Sequence, residues 1–308
     1  MKNLAYAAAS AIALAAASPA LAQANVDIDQ TGTNHSVTVD QIEDVLNSIS
    51  ITQAGDGQIA TVGQRAPGVG NTVVTLQGDI GGVGGNDVRV IQEGSDNLAA
   101  VGQNSSTNIA TGVQRGDTNM VFIDQGLNGG SGAGGSGNNA LFVQEGTGNT
   151  ATINQNLNSG GGGNDADVYQ FSDDNTVTIT QEDLTNVVFV VQGDIAGAGA
   201  NIATATQSGS GNTMAIGQNG TGNEAVGNQQ GSNNRLFIDQ GFNNGTGLNG
   251  DNNYAEGNQI GNNNSLTLNQ NLTTAGSGNS IIVNQFGDGF DLTIDQEGSG
   301  HVMEITQS

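Results

Sequence analysis

Glutamine recurs in this chain with a regularity that few folds accommodate. Twenty-three Gln residues, running from Gln30, Gln41, Gln53 and Gln64 to Gln285, Gln296 and Gln307, form a register in which 14 of 22 gaps are 11 residues. The other gaps are 12, 13, 15 or 19 residues, and only Gln23, Gln58 and Gln230 stand outside the register. Six residues before the register Gln stands Asn in 18 of 23 units, the exceptions being Ala24, His35, Gln58, Phe290 and His301. Four and two residues before it the chain is small or apolar, as in Val88/Val90, Ala99/Val101, Val121/Ile123 and Leu236/Ile238. The unit Asn-x-Φ-x-Φ-x-Gln therefore alternates with period two, the signature of a β-strand with one buried face. A helix would scatter these positions around its circumference.

Between one Gln and the next Asn lie, most often, four turn formers, such as Glu93-Gly94-Ser95-Asp96 and Ser208-Gly209-Ser210-Gly211. Gly94, Gly116, Gly146, Gly209, Gly220, Gly231, Gly261 and Gly298 occupy one recurring turn position, where glycine supplies positive φ. The expected fold is all-β, a β-solenoid of about 23 short strands. A single unit cannot bury its apolar face, so stability has to come from stacking neighbours. A four-residue turn suits a full reversal between two facing sheets, which favours two strands per coil; three per coil is the alternative. Stacking would place Asn86, Asn97, Asn108, Asn119, Asn201, Asn212, Asn223 and Asn234 in one amide ladder. Gln92, Gln103, Gln114, Gln125, Gln207, Gln218, Gln229 and Gln240 would form the other. Bonding along the axis satisfies amides that are costly to bury alone.

A longer period overlies the first. Gln77 to Gln192 is 115 residues, as is Gln192 to Gln307, and Gln77-Gly78-Asp79-Ile80 recurs as Gln192-Gly193-Asp194-Ile195. A nine-strand block is duplicated, about 77–192 and 192–307, with Gly-rich loops at 126–137 and 241–252. Nine is odd, so in a two-strand coil the two long loops should leave opposite edges.

The first 22 residues read as a signal peptide: Lys2, an Ala-rich apolar stretch from Leu4 to Ala17, and Ala20-Leu21-Ala22 before the cleavage point. The remainder, 23–308, reads as a single solenoid. The chain carries 29 acids against 5 bases, a formal charge of −24. Loss of Lys2 makes this −25. No nucleic-acid partner is expected, because phosphates need a basic face. No membrane span is expected, since no later stretch is long and apolar enough. Absence of Cys removes disulfides and thiolate sites.

The stretch Asn86-x5-Gln92-x-Gly94-x2-Asn97-x-Ala99-x3-Gln103 resembles the curlin repeat, Ser/Asn-x5-Gln-x-Gly-x2-Asn-x-Ala-x3-Gln. Asn138–Gln155 and Asn201–Gln218 match similarly, with Met214 in place of Ala in the second. The likeness extends over nearly the whole chain after the leader. It implies a subunit of curli fibres, a functional amyloid of the bacterial biofilm matrix serving adhesion. It implies export from a two-membraned bacterium to the cell surface, where the subunit assembles with itself, with other curli subunits and through a dedicated secretion pathway. The alternatives are a minor or nucleating subunit, or a secreted solenoid adhesin that does not polymerise.

The assembly sites expected on this reading are the end strands, through Val26, Ile28 and Gln30 at one end and Met303, Ile305 and Gln307 at the other. Asn186 to Gln192 is apolar on both faces, so Val187, Phe189 and Val191 point outwards, which suits a lateral contact or a nucleating segment, or else a strand covered by a neighbouring loop. No catalytic, cofactor or metal site is expected. His35 and His301 replace Asn in its ladder. Gly160–Asp165 resembles one calcium nonapeptide, but Asp167 stands where an apolar residue belongs and no tandem copies follow. Thr176, Thr178 and Thr180 form one outward row, and an ice-binding array would need neighbouring strands to repeat it. Neighbouring strands are not expected to repeat it.

Overall fold

The computed structural model of the chain describes residues 11–17, 25–42, 46–65, 68–78, 84–126, 135–156, 161–193, 199–241, 250–271 and 276–308. The expected cleavage point after Ala22, the start of the first unit at Ala24, and Gly160 lie outside these residues. All regular elements among them are strands. They form two parallel sheets of twelve strands each, beside a two-stranded pair, Gly250–Asp251 with Gly276–Ser277.

The chain alternates between the sheets. Asn25–Thr33 lies in the second sheet, Ser36–Ile42 in the first, Ser48–Asp56 in the second and Ile59–Arg65 in the first. The alternation continues to Asp291–Gln296 in the first and Val302–Gln307 in the second. Each unit pairs with the unit two before and two after, Gln over Gln: Gln77 with Gln53 and Gln103, Gln92 with Gln64 and Gln114. A three-strand coil would pair every third unit, so the coil has two strands.

Inward positions stack into a continuous core. Ala99, Val121 and Ala151 follow one another on adjacent rungs, as do Val101, Ile123 and Ile153, and all are buried. Each buried Val, Ile or Leu contributes roughly 1.5–3 kcal/mol. Volume is balanced between rungs. Phe142, the largest fully buried side chain, pairs with Gly112, where a Cβ would run into the Phe142 ring.

The eight turn glycines have φ between 98° and 132°. Stacking adds a second constraint to backbone conformation. A Cβ on Gly116 would collide with the carbonyl oxygen of Gly146, its counterpart one coil on. The turns are also more regular than expected. Ile202–Ser210, Glu224–Ser232 and Tyr254–Asn262 extend to nine residues, because part of the turn joins the parallel ladder.

Units 115 residues apart fall in opposite sheets: Thr72–Gln77 in the second, Val187–Gln192 in the first. The connection after Gln125 runs from the second sheet to the first, and that after Gln240 from the first to the second. The strands that these connections join thus succeed one another in opposite order; residues 127–134 and 242–249, most of the two Gly-rich loops, lie outside the described residues. Ala11–Ala17, within the expected leader, forms the outermost rung of the first sheet, parallel to Ser36–Ile42.

Candidate functional site: amide ladders and solenoid ends

The Gln side chains form two unbroken directional chains of hydrogen bonds, one in each sheet. Each Nε2 donates to the Oε1 of the Gln one coil later, from Gln30→Gln53 and Gln41→Gln64 to Gln270→Gln296 and Gln285→Gln307, in 21 bonds of 2.7–3.1 Å. Gln92, Gln103, Gln114, Gln125, Gln207, Gln218, Gln229 and Gln240 are all buried members. Many Nε2 groups also reach strand carbonyls, as Gln181 does to Asp165 and Asn186 at 2.9 Å each.

The Asn ladder keeps some of the amide-to-amide bonds that the repeat suggests, Asn97 to Asn71, Asn201 to Asn175 and Asn212 to Asn186 at 3.1 Å each, but rests mainly on bonds to the backbone. The backbone N–H of most ladder Asn residues donates to the side-chain carbonyl of the Asn one coil earlier, as in Asn108→Asn86 at 2.9 Å and Asn119→Asn97 at 3.0 Å. Their Nδ2 groups reach turn carbonyls, Asn97 to Gly116 at 2.8 Å, Asn212 to Gly231 at 3.0 Å and Asn223 to Gly250 at 2.7 Å. Asn201 and Asn234 follow the same pattern. The shorter side chain sits where the chain enters the strand, so it serves the backbone. Gln58 fills this position in one coil and accepts from Asn86 N–H at 3.1 Å. His301 N–H donates to Asn279 Oδ1 at 3.0 Å. His35 is buried; its Nε2 lies 3.2 Å from the Thr31 carbonyl, and its Nδ1 meets no partner among the described residues.

At the ends the core is incompletely covered. Val26, Ile28, Leu292 and Ile305 are partly buried, Met303 is 36% exposed, and the outward Val302 is 80% exposed. Interior residues at the same inward positions are buried. Gln30 and Gln307 are the outermost described ladder members in the second sheet.

The outward faces carry two related grooves. One, of about 190 Å³, lies between Phe189/Val191 and Phe237, with Ala215 and Gly217 as its floor and Asp239 at its edge. The other, of about 320 Å³, lies between Val74/Leu76 and Phe122, with Ala100 and Gly102 as floor and Asp124 at its edge. Each residue of the first stands 115 positions after its counterpart in the second. Because the repeat is odd, the two grooves face opposite ways. Val187 and Phe189 are 39% and 41% exposed, while Val191 is half-buried. Phe189 also lies against Tyr169, with ring centroids 5.6 Å apart.

Asp124 is not fully solvated, although it stands at an outward position of its strand. It is half-buried beside Phe122, one Oδ1 is out of contact with water or a donor, and desolvation pushes its carboxyl up to about 6. Desolvation first, then Asp165, raises Asp167 as well. The Thr row is broader than expected. Thr150/Thr152 and Thr204/Thr206 flank Thr176/Thr178/Thr180 on the adjacent rungs of the second sheet, because spatial neighbours are alternate units. Charges alternate along one edge: Arg115 bonds Glu93 at 3.1 Å and Glu145 at 2.7 Å, and Arg65 lies 3.9 Å from Glu93.

The segment Asn212–Gln240 contains three full units, with Gly220 and Gly231 in its turns and Asn212, Asn223 and Asn234 on the ladder. Residues 212–241 match the family model described as curlin associated repeat. The curlin repeat and the β-solenoid together support a curli-like structural subunit. The model matches one stretch, while the same strand register continues in the coils on both sides of it. No curated protein matches the chain. Among the described residues no helix is long and apolar enough to cross a membrane.

Proposed function

We propose that the chain is an extracellular structural subunit of curli-like fibres, exported through its leader and assembled at the cell surface into a biofilm matrix that serves adhesion. The observation that carries this reading is the one-way Gln ladder. A ladder in which all bonds point the same way ends in unused donors at one end and unused acceptors at the other, so one end of the solenoid is the template for the other. Such a contact is heterologous and does not close, which gives filaments and not rings. The end strands with Val26, Ile28, Gln30, Met303, Ile305 and Gln307 are the assembly surfaces. Val187, Phe189 and Val191 are the lateral contact between fibres. Partners are further copies, other curli subunits and the secretion apparatus; catalysis has no part in this reading.

The test is sedimentation and thioflavin fluorescence on purified residues 23–308 at micromolar concentration. Sedimenting, thioflavin-positive material within days is the expected result. A chain that stays monomeric over that period contradicts the proposal and favours a non-polymerising adhesin.

A further inference from the structure

The number of strands determines how one copy must sit on the next. Without Ala11–Ala17, eleven strands remain in the first sheet and twelve in the second, and both the first strand, Asn25–Thr33, and the last, Val302–Gln307, belong to the second. Suppose the next copy were added by translation alone. Its Asn25–Thr33 would land on Val302–Gln307, but in the first sheet a rung would be skipped between Asp291–Gln296 and the next copy's Ser36–Ile42. That is the rung which Ala11–Ala17 occupies. Two strand edges would then face each other across a gap with their backbone groups unpaired, a poor arrangement for polar groups.

We infer that, in the fibre, each copy of residues 23–308 is turned by half a revolution about the axis relative to the one before, so that Asn25–Thr33 stacks on Asp291–Gln296 and Ser36–Ile42 on Val302–Gln307. This deepens the self-assembly reading and rests on it and on loss of the leader. A half-turn exchanges the sheets and reverses strand direction together, so all new pairs stay parallel and no rung is skipped. The inward residues then meet in kind. Val26 of the next copy stacks on Leu292 and Ile28 on Ile294, while Val37 stacks on Met303 and Val39 on Ile305. Gln296 and Gln307 donate to Gln30 and Gln41 of the next copy, in the sense of all the Gln bonds within the chain. His35 of the next copy comes to rest on His301, which brings a ring N–H within reach of the buried Nδ1 that has no partner among the described residues.

The molecule already contains this operation. The nine-strand repeat places Thr72–Gln77 and Val187–Gln192 in opposite sheets, and its two grooves on opposite faces. Any odd number of strands produces the same half-turn, so the fibre continues at its joints what the duplication does inside the chain. The rise per copy is eleven and a half rungs, about 55 Å at the usual strand spacing.

Cysteine pairs distinguish the two stackings, and the native chain has no Cys to interfere. Thr38, Glu304 and Asp27 are exposed on outward positions. Cα atoms on adjacent rungs lie about 4.8 Å apart, within disulfide range. The half-turn places Thr38 of the next copy beside Glu304; translation places Asp27 there. Fibres of residues 23–308 carrying Thr38→Cys and Glu304→Cys should, after oxidation and dissolution, leave covalent multimers, and fibres with Asp27→Cys and Glu304→Cys should leave monomers. The reverse pattern, or fibres in which neither pair cross-links, overturns the half-turn. If the unsubstituted chain forms no fibres, the self-assembly reading itself fails, and the half-turn with it. Should either variant fail to assemble, helical reconstruction of the unsubstituted fibre decides: a half-turn per copy supports the proposal, and none beyond the twist of the sheets overturns it.

Discussion

Gln285 donates its side-chain amide to Gln307 over 2.8 Å, the last step of a ladder whose bonds all point the same way. An interior rung and a terminal rung of that ladder should therefore answer differently to substitution. Gln181→Leu removes a donor that serves three acceptors and strips Gln155 of one of its two acceptors. Orphaned buried groups cost about 1–3 kcal/mol each, so urea unfolding should show a loss of at least that size. Gln307→Leu should leave urea stability nearly unchanged and slow fibre elongation. Equal effects of the two on stability would contradict this division.

Turn glycines should divide by what stands one coil on. Gly116→Ala sets a Cβ against the Gly146 carbonyl at φ 99°, whereas Gly278→Ala, at φ 68°, meets open space. The second should cost about 1–2 kcal/mol, the usual penalty for a left-handed L-residue, and the first more. Thermal unfolding of the two variants checks the order.

Core volume should be just as position-specific. Phe142→Ala opens a cavity opposite Gly112 and should cost about 3–5 kcal/mol by chemical unfolding. Gly112→Ala should also destabilise, because the added Cβ would overlap the fully buried Phe142 ring.

Asp124 gives the fold a pH dependence of defined sign. Its carboxyl is raised to about 6 by desolvation, so the folded chain binds this proton more tightly than the unfolded one. Its unfavourable contribution is therefore full above pH 6 and is relieved as pH falls from about 6 towards 4. The group is only half-buried, so Asp124→Asn should add on the order of 1 kcal/mol at pH 7, after allowance for solvent screening. It should also flatten the gain in stability on acidification. Urea midpoints at pH 7 and pH 4.5 for both chains measure this, and identical pH profiles would count against it.

The charge of the whole chain should act as a brake on growth. With a formal −24, subunits repel at a range set by a Debye length of about 8 Å at physiological ionic strength. Half-turn stacking would place Asp29 on Asp295. Elongation should quicken with added salt and as pH falls towards 4, and seeded growth rates unaffected by either would contradict this.

Much of the fold was legible because a period-two unit repeated 23 times leaves little freedom: Val88/Val90 and Ala99/Val101 had to share one side, and Gln had to stack on Gln. What escaped depended on neighbours across the coil instead of along the chain. The Thr150, Thr178 and Thr204 array was hidden because alternate units, not consecutive ones, are adjacent. The partial burial of Asp124 has no signature in its own strand, because Gly102 and Leu76 come beside it from neighbouring rungs. The Asn ladder read as a copy of the Gln ladder, because residue type does not tell that the shorter amide would spend its carbonyl on backbone N–H groups.

Fibre diffraction tests the central claim most directly. If residues 23–308 polymerise by stacking one solenoid end on the other, the strands lie across the fibre axis, and oriented fibres should give a meridional reflection at about 4.8 Å. Fibres lacking that reflection, or giving it on the equator, would mean that the ends are not the assembly surfaces.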